Sequence, residues 1–154
     1  MLATPEVVET EAEEAAVIRL TIPRADMPRV FGPAVGELMT ALAAQGVEPV
    51  GSVFAHHFKI TPETFDFELG VRVSAPVKPA GRIKPGELPA AKVARAIYGG
   101  PYEGLPSAWQ EFNKWMRTEG LSQGESLWEV YTIGPHVTSN PENWRTELNR
   151  PLAG

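Results

Sequence analysis

The fold is decided by residues 98–131, which read YGGPYEGLPSAWQEFNKWMRTEGLSQGESLWEVY. A turn rich in glycine and proline opens this stretch, between the phenols of Tyr98 and Tyr102. Apolar side chains then recur at spacings of four, three and four residues, which predicts one face of a helix over residues 106–119. Gly120 is suited to end that helix, and the apolar segment 126–133 is typical of a β-strand.

The pattern of this stretch occurs twice in the chain. A shift of 74 residues carries the helix face and terminal glycine of an earlier segment onto it: Phe31, Val35, Leu38, Leu42 and Gly46 fall on Leu105, Trp109, Phe112, Met116 and Gly120. The same shift carries a strand at 15–22 onto 89–96, and Val53 to His57 onto Leu127 to Tyr131. Two strand-helix-strand-strand repeats are therefore predicted, over about residues 15–80 and 89–152.

Two such repeats predict an α+β fold with an antiparallel sheet, two main helices, pseudo-two-fold symmetry and a central groove where the repeats meet. The helices are predicted at residues 33–45 and 106–119. Strands are predicted at residues 16–22, 47–58, 65–73, 82–84, 91–98, 126–133 and 144–148. Residues 1–14 contain five glutamates and are predicted to be an acidic, flexible leader, so that residues 15–154 form a single domain.

Composition excludes several classes of function. The 154 residues include no cysteine, which rules out disulfides, thiolate nucleophiles and Cys-ligated metals and fits a cytoplasmic protein. Formal charge is -5, and no basic stripe suited to nucleic acid is present, so we expect no direct binding to DNA or RNA. No apolar run approaches the roughly 20 residues that span a bilayer, so no membrane contact is expected. The sequence leaves the oligomeric state open.

Glu129 is the candidate centre of a binding site. Alternation along residues 127–133 places its side chain on the same face as that of Tyr131. If that face lines the groove, burial should raise the pKa of Glu129 unless a cation or a hydrogen bond compensates. The carboxylate could then bind a planar cation, or it could serve in acid-base chemistry. The alternative is a surface glutamate paired with a lysine or arginine.

Histidine and glycine motifs elsewhere are weaker signals. His56 and His57 are adjacent in a predicted strand and point to opposite faces, so they cannot chelate one metal ion together. His57 corresponds to Tyr131 under the 74-residue shift and could face the groove. The turn at Gly99-Gly100-Pro101 lacks the lysine and the serine or threonine of a phosphate-binding loop. We therefore expect neither a metal nor a cofactor.

A family resemblance rests on Ala96 to Leu105, with Ala108-Trp109, Glu129-Val130-Tyr131 and the ending Trp144 to Leu148, together with Phe65 to Val71 in the first repeat. Over about residues 16–152 the chain resembles the GyrI-like effector-binding domains, which share their fold with the SOUL proteins. The resemblance implies a ligand-binding domain like those of AraC-type and MerR-type drug regulators, in which a glutamate meets lipophilic cations. Glu129 matches that glutamate. Many members have histidine where this chain has Tyr98.

The resemblance gives three functional hypotheses. The first is a stand-alone protein that binds hydrophobic, planar small molecules, cationic ones among them. The second is a hydrolase that opens the cyclopropane of DNA-alkylating natural products, with Glu129 and Tyr131 as catalytic residues. The third is a gyrase-inhibitor-like protein that acts on a protein partner. The predicted ligand-binding residues are Glu129, Tyr131, Tyr98, Trp109, Tyr102, Phe54, His57 and Trp128.

Overall fold

The computed structural model describes residues 2–153. Its strands are β1 Glu6–Thr10, β2 Glu13–Pro23, β3 Pro49–Ile60, β4 Thr64–Val73, β5 Ile83–Leu88, β6 Ala91–Gly99, β7 Leu127–Ile133 and β8 Arg145–Pro151. Its helices are α1 Met27–Gln45 and α2 Leu105–Thr118, with short 3-10 turns at Arg24–Asp26, Tyr102–Gly104 and Pro141–Asn143. The predicted α+β class, antiparallel pairing and two main helices are confirmed.

The chain forms two compact units. The first unit is Glu11–Ala90, and the second unit combines the described parts of Met1–Thr10 and Ala91–Gly154. In the first unit the strands lie in the order β3-β4-β2-β5, and α1 packs on β2 and β4. In the second unit the order is β1-β6-β8-β7, and α2 packs on β6. The pairing within each unit therefore follows the predicted repeat, since β4 lies between β2 and β3 as β8 lies between β6 and β7.

Both helices bury the same three positions of the repeat. In the first unit α1 buries Ala34, Leu38 and Leu42. In the second unit α2 buries Ala108, Phe112 and Met116, which are the same positions shifted by 74 residues. The predicted face included Val35 and Trp109 instead of the two alanines, and both of these side chains are only half-buried. A small residue takes the position closest to the sheet, and the larger residue beside it lies at the edge of the helix contact.

Residues near the N-terminus differ from the predicted flexible leader. β1 pairs antiparallel with β6 along its whole length, from Glu6 opposite Arg95 to Thr10 opposite Ala91. The Thr10 side chain also exchanges hydrogen bonds with the backbone of Ala91. These bonds hold β1 in place on the sheet. They also supply partners to the backbone of β6, which would otherwise form an open sheet edge. The second unit is therefore built from two separate parts of the sequence.

Two element boundaries also differ from prediction. Helix α1 begins at Met27, six residues earlier than predicted, and contains Pro33. Proline lacks an N–H and so removes one bond near the start of the helix, without ending it.

Between β7 and β8 the register shifts after Val130, and pairing resumes at Ile133 opposite Arg145. The first unit has an equivalent shift between His57 and Lys59. The last strand departs from the 74-residue register because the connection between β7 and β8 is longer: Ala55 pairs with Leu69, whereas Glu129 pairs with Leu148. The groove predicted between the repeats stays a prediction. Among the described residues, no helix is long and apolar enough to cross a membrane.

We expect Gly70→Ala and Gly36→Ala to change stability in opposite directions. A Cβ at Gly70 would lie 2.7 Å from Phe54 Cζ and 2.8 Å from the Ala16 carbonyl oxygen, so alanine should lower the free energy of unfolding by about 1–3 kcal/mol. Gly36 is exposed in α1 and has no atom within 4 Å of an added Cβ, so alanine should raise it by about 0.5–1 kcal/mol. Urea unfolding followed by circular dichroism measures both, and equal effects would contradict the packing at Gly70.

Candidate functional site

The strand β7 places Glu129 beneath α2. Glu129 lies opposite Leu148 of β8, and Leu148 belongs to the core cluster that α2 covers with Phe112 and Met116. Paired residues of adjacent antiparallel strands share a face of the sheet, so the Glu129 side chain is on the α2 side. Its side chain is half-buried rather than sealed. The residue keeps some exposed surface, although burial raises the pKa of its carboxyl group.

Two aromatic donors hold the Glu129 carboxylate. The indole Nε1 of Trp109 donates to Oε2 at 2.7 Å, and the hydroxyl of Tyr131 donates to Oε1 at 2.7 Å. Trp109 reaches it from α2, whereas Tyr131 lies two residues further along β7, on the same face. The predicted pairing of Glu129 with Tyr131 is thus present, and Trp109 is a contact of the carboxylate rather than a core residue alone.

Burial and hydrogen bonding act in opposite directions on this group. Burial raises the pKa of Glu129 above its ordinary value, while the bonds from Trp109 and Tyr131 lower it. Burial, and then the charge of Glu129, raises the pKa of Tyr131 well above its ordinary value and raises that of Tyr102 as well. Both phenols therefore remain protonated donors at neutral pH. No lysine or arginine within the described residues forms a salt bridge with Glu129, so a neutral donor set surrounds the carboxylate.

Aromatic rings extend from the carboxylate along one side. Tyr102 meets Tyr131 edge to face at a centroid distance of 5.7 Å, and it lies against Trp144 at 4.7 Å. Trp109 contacts Phe112 at 5.6 Å. The Trp144 indole is anchored by a bond from Nε1 to the Thr138 carbonyl, 2.9 Å long. The predicted set of ligand-binding residues missed Trp144, although it begins the closing motif on which the family resemblance partly rests.

Tyr98 supports the turn that carries Tyr102. Its hydroxyl donates to the Pro101 carbonyl oxygen at 2.7 Å, and its ring is buried in the core cluster under α2. A Cβ on Gly104 would overlap this hydroxyl, which explains why glycine occupies that position. The phenol of Tyr98 is thus engaged within the protein, in contrast to the predicted role in ligand binding.

Three other predicted residues are not brought to Glu129 within the second unit. Trp128 is 2% exposed and, by alternation along β7, lies on the opposite face of the sheet. Phe54 and His57 belong to the first unit and are buried there. His57 stacks on Phe67 at 5.0 Å, and burial lowers its pKa to about 4. The described residues contain no group of three histidine, cysteine or acidic side chains that could hold a metal ion.

The fold and this site define a class of protein. A family model described as the GyrI-like small molecule binding domain matches residues 3–153, and the chain belongs to this family. No curated protein matches the sequence significantly. Among solved structures, the C-terminal domain of EcmrR is 20% identical with a TM-score of 0.86, covering 97% of each chain. EcmrR in a complex with DNA is 21% identical with a TM-score of 0.85. That match covers 97% of the present chain but only 57% of the EcmrR chain.

Two further structures share the fold at lower identity. A hydrolase from Listeria innocua is 15% identical with a TM-score of 0.68, and the match covers 97% of this chain and 91% of the hydrolase chain. SAV2435, solved bound to tetraphenylphosphonium, is 11% identical with a TM-score of 0.71, covering 99% of this chain and 95% of its own. At these identities the likeness establishes the fold alone.

We expect Tyr131→Phe to raise the pKa of Glu129 further. The hydroxyl of Tyr131 favours the ionised carboxylate, so its loss removes one of the two bonds that lower the pKa of Glu129. An NMR titration of the 13C-labelled Glu129 carboxyl group measures the change. Tyr98→Phe is the matched control because the Tyr98 hydroxyl bonds to Pro101 instead, and it should leave that pKa unchanged. An unchanged pKa of Glu129 in Tyr131→Phe would contradict the hydrogen bond.

Proposed function

We propose that this chain binds hydrophobic, planar small molecules, cationic ones among them, at the aromatic site around Glu129. The observation that carries the proposal is a half-buried glutamate whose two carboxylate oxygens are held by Trp109 and Tyr131 at 2.7 Å each. Because these donors are neutral, the negative charge of the carboxylate is left for a ligand. Membership of a small-molecule-binding family supports the same function.

The chemistry of the site suits a cation that offers no hydrogen bonds. Each oxygen of Glu129 already accepts one bond from the protein, so a ligand gains from the charge more than from further hydrogen bonding. The rings of Tyr102 and Trp144 supply apolar and π surface beside it, and cation-π contacts contribute about 0.5–2 kcal/mol. Tetraphenylphosphonium, the ligand of SAV2435, is tetrahedral rather than planar, but it combines a positive charge with aromatic rings and so probes the charge and the aromatic surface of the site.

Glu129→Gln should weaken binding of tetraphenylphosphonium by about tenfold or more. The change removes the negative charge and keeps the size of the side chain, and a charge contact in a partly buried site exceeds about 1.4 kcal/mol. Isothermal titration calorimetry measures the affinity, and a thermal melt checks folding. Glu111→Gln is the matched control because Glu111 is exposed on α2 and the variant has the same net charge. Equal affinities of Glu129→Gln and wild type would contradict the proposal.

The same titration at several pH values gives a second measurement. Burial raises the pKa of Glu129, so a proton competes with the cation at a higher pH than it would at an exposed glutamate. The affinity of wild type should fall as the pH is lowered through that raised pKa. Tetraphenylphosphonium does not titrate, and Glu129→Gln should therefore show a flat profile. A flat profile for wild type would place the binding charge elsewhere.

Hydrolysis of a cyclopropane-bearing electrophile is the second candidate function. The observation that favours it is the bond between Tyr131 and Glu129, which fixes the carboxylate and helps to keep it ionised as a base. Glu129 would take a proton from water as the water oxygen bonds to a ring carbon. The strained C–C bond breaks, its electron pair passes to the conjugated carbonyl oxygen, and that oxygen takes up a proton. A role as a partner of gyrase stays a prediction from the resemblance.

Enzyme activity is tested by incubating the protein with an excess of a cyclopropane-containing alkylating compound. An enzyme should give many equivalents of the ring-opened, water-added product by mass spectrometry, and Glu129→Gln should lose at least about tenfold in rate, as removal of a general base typically does. One equivalent or less of product would count against turnover, while leaving the binding function intact.

A further inference from the structure

Arg150 presents a second charged group on the side of the sheet that carries Glu129. It pairs with Ala94 across β6 and β8, and Ala94 belongs to the core cluster beneath α2. Its side chain therefore leaves the sheet on the α2 side. Leu148, two residues earlier in β8, lies opposite Glu129. Arg150 and Glu129 are thus diagonal neighbours on one face, roughly 7–8 Å apart at the backbone.

The guanidinium of Arg150 has no partner among residues 2–153. Its Nε is buried without a hydrogen bond, and no salt bridge or other bond engages the side chain within residues 2–153. Burial lowers the pKa of Arg150, which reports the same lack of compensation. A buried donor of a charged group is costly when unsatisfied, so most arginines in such positions are paired. The side chain as a whole is only half-buried, and a ligand can therefore approach it.

A second unsatisfied polar group, on Asn113, lies on the same side of Glu129 as Arg150. Asn113 follows Trp109 by one turn of α2, and its Oδ1 is buried without a hydrogen bond. The segment after α2 bonds to the end of β8, with Gly124 N donating to the Pro151 carbonyl at 2.7 Å. The C-terminal half of α2 therefore extends toward the part of β8 that contains Arg150. Both unsatisfied groups belong to the second unit, beyond the contact between Trp109 and Glu129.

We propose that the binding site continues from Glu129 to Arg150 and takes amphoteric ligands, in which an apolar cation also carries a carboxylate. The inference rests on the proposed function and names its ligand class more narrowly. The cationic part lies against Glu129 and the aromatic rings, and the carboxylate accepts hydrogen bonds from Arg150. Arginine suits this role because its planar donors match the two oxygens of a carboxylate. The Oδ1 of Asn113 can accept a bond from an N–H or O–H of the same ligand.

Rhodamine B and its ethyl ester form a matched pair of probes, because they share a planar cation and differ in one carboxylate. Fluorescence anisotropy should show that wild type binds rhodamine B about tenfold more tightly than the ester, since hydrogen bonds to charged groups have that effect. Arg150→Gln should abolish the difference, and it should bind tetraphenylphosphonium at least as tightly as wild type does because a neighbouring positive charge is removed. Arg117→Gln, at an exposed arginine of α2, removes the same charge and should keep the preference.

Arg150→Lys adds a test of geometry, since lysine keeps the charge without the planar donors, and it should retain only part of the preference. A thermal melt of each variant checks folding. If Arg150→Gln does not fold, the two dyes still decide on wild type alone, because a preference for the ester overturns the inference. If wild type does not bind tetraphenylphosphonium, the proposed function itself is overturned. Tight, Glu129-dependent binding of that cation without any carboxylate preference would overturn only the extension to Arg150.

Discussion

The contact between α2 and the strands β6 and β8 is the constraint on which the second unit depends. Ala108, Phe112 and Met116 pack on a floor that includes Ala94, Ala96 and Leu148. Alanine at three of these positions lets the helix lie close to the sheet, and Phe112 fills the space between them with no exposed surface. The same approach determines where the next helical residue, Trp109, must lie. Its indole is at the edge of the packed surface, within reach of β7.

From that position Trp109 donates a hydrogen bond to the carboxylate of Glu129, next to the apolar core beneath α2. The carboxylate of Glu129 accepts one bond from the helix and one from its own strand, so its geometry is fixed before any ligand arrives. Burial raises the pKa of Glu129, and none of the salt bridges among residues 2–153 involves it. A group of this kind is satisfied in its hydrogen bonds but not in its charge. Pre-organisation of this sort reduces the ordering that binding requires.

The two units show how one scaffold can carry the proposed site in one copy and an apolar core in the other. The position that corresponds to Glu129 is Ala55, which is fully buried in the first unit. The position that corresponds to Tyr131 is His57, packed against Phe65 and Phe67 with its pKa lowered to about 4. Neutral, stacked side chains thus fill the first unit where the second unit holds a carboxylate and a phenol. The difference arises from single residues and not from the strand order, which is the same for the three strands of each repeat.

The sequence by itself determined the features that depend on local geometry. Helical spacing located α1 and α2, the 74-residue shift identified the repeat, and alternation along β7 placed Glu129 and Tyr131 on one face. Only the tertiary structure decided which distant groups meet them. Trp109 reaches Glu129 from 20 residues away, β1 joins β6 across 81 residues between Thr10 and Ala91, and Tyr98 turns its hydroxyl to Pro101. Periodicity fixes the direction in which a side chain leaves its own element, whereas its partner depends on how separate elements pack, which a local pattern does not encode.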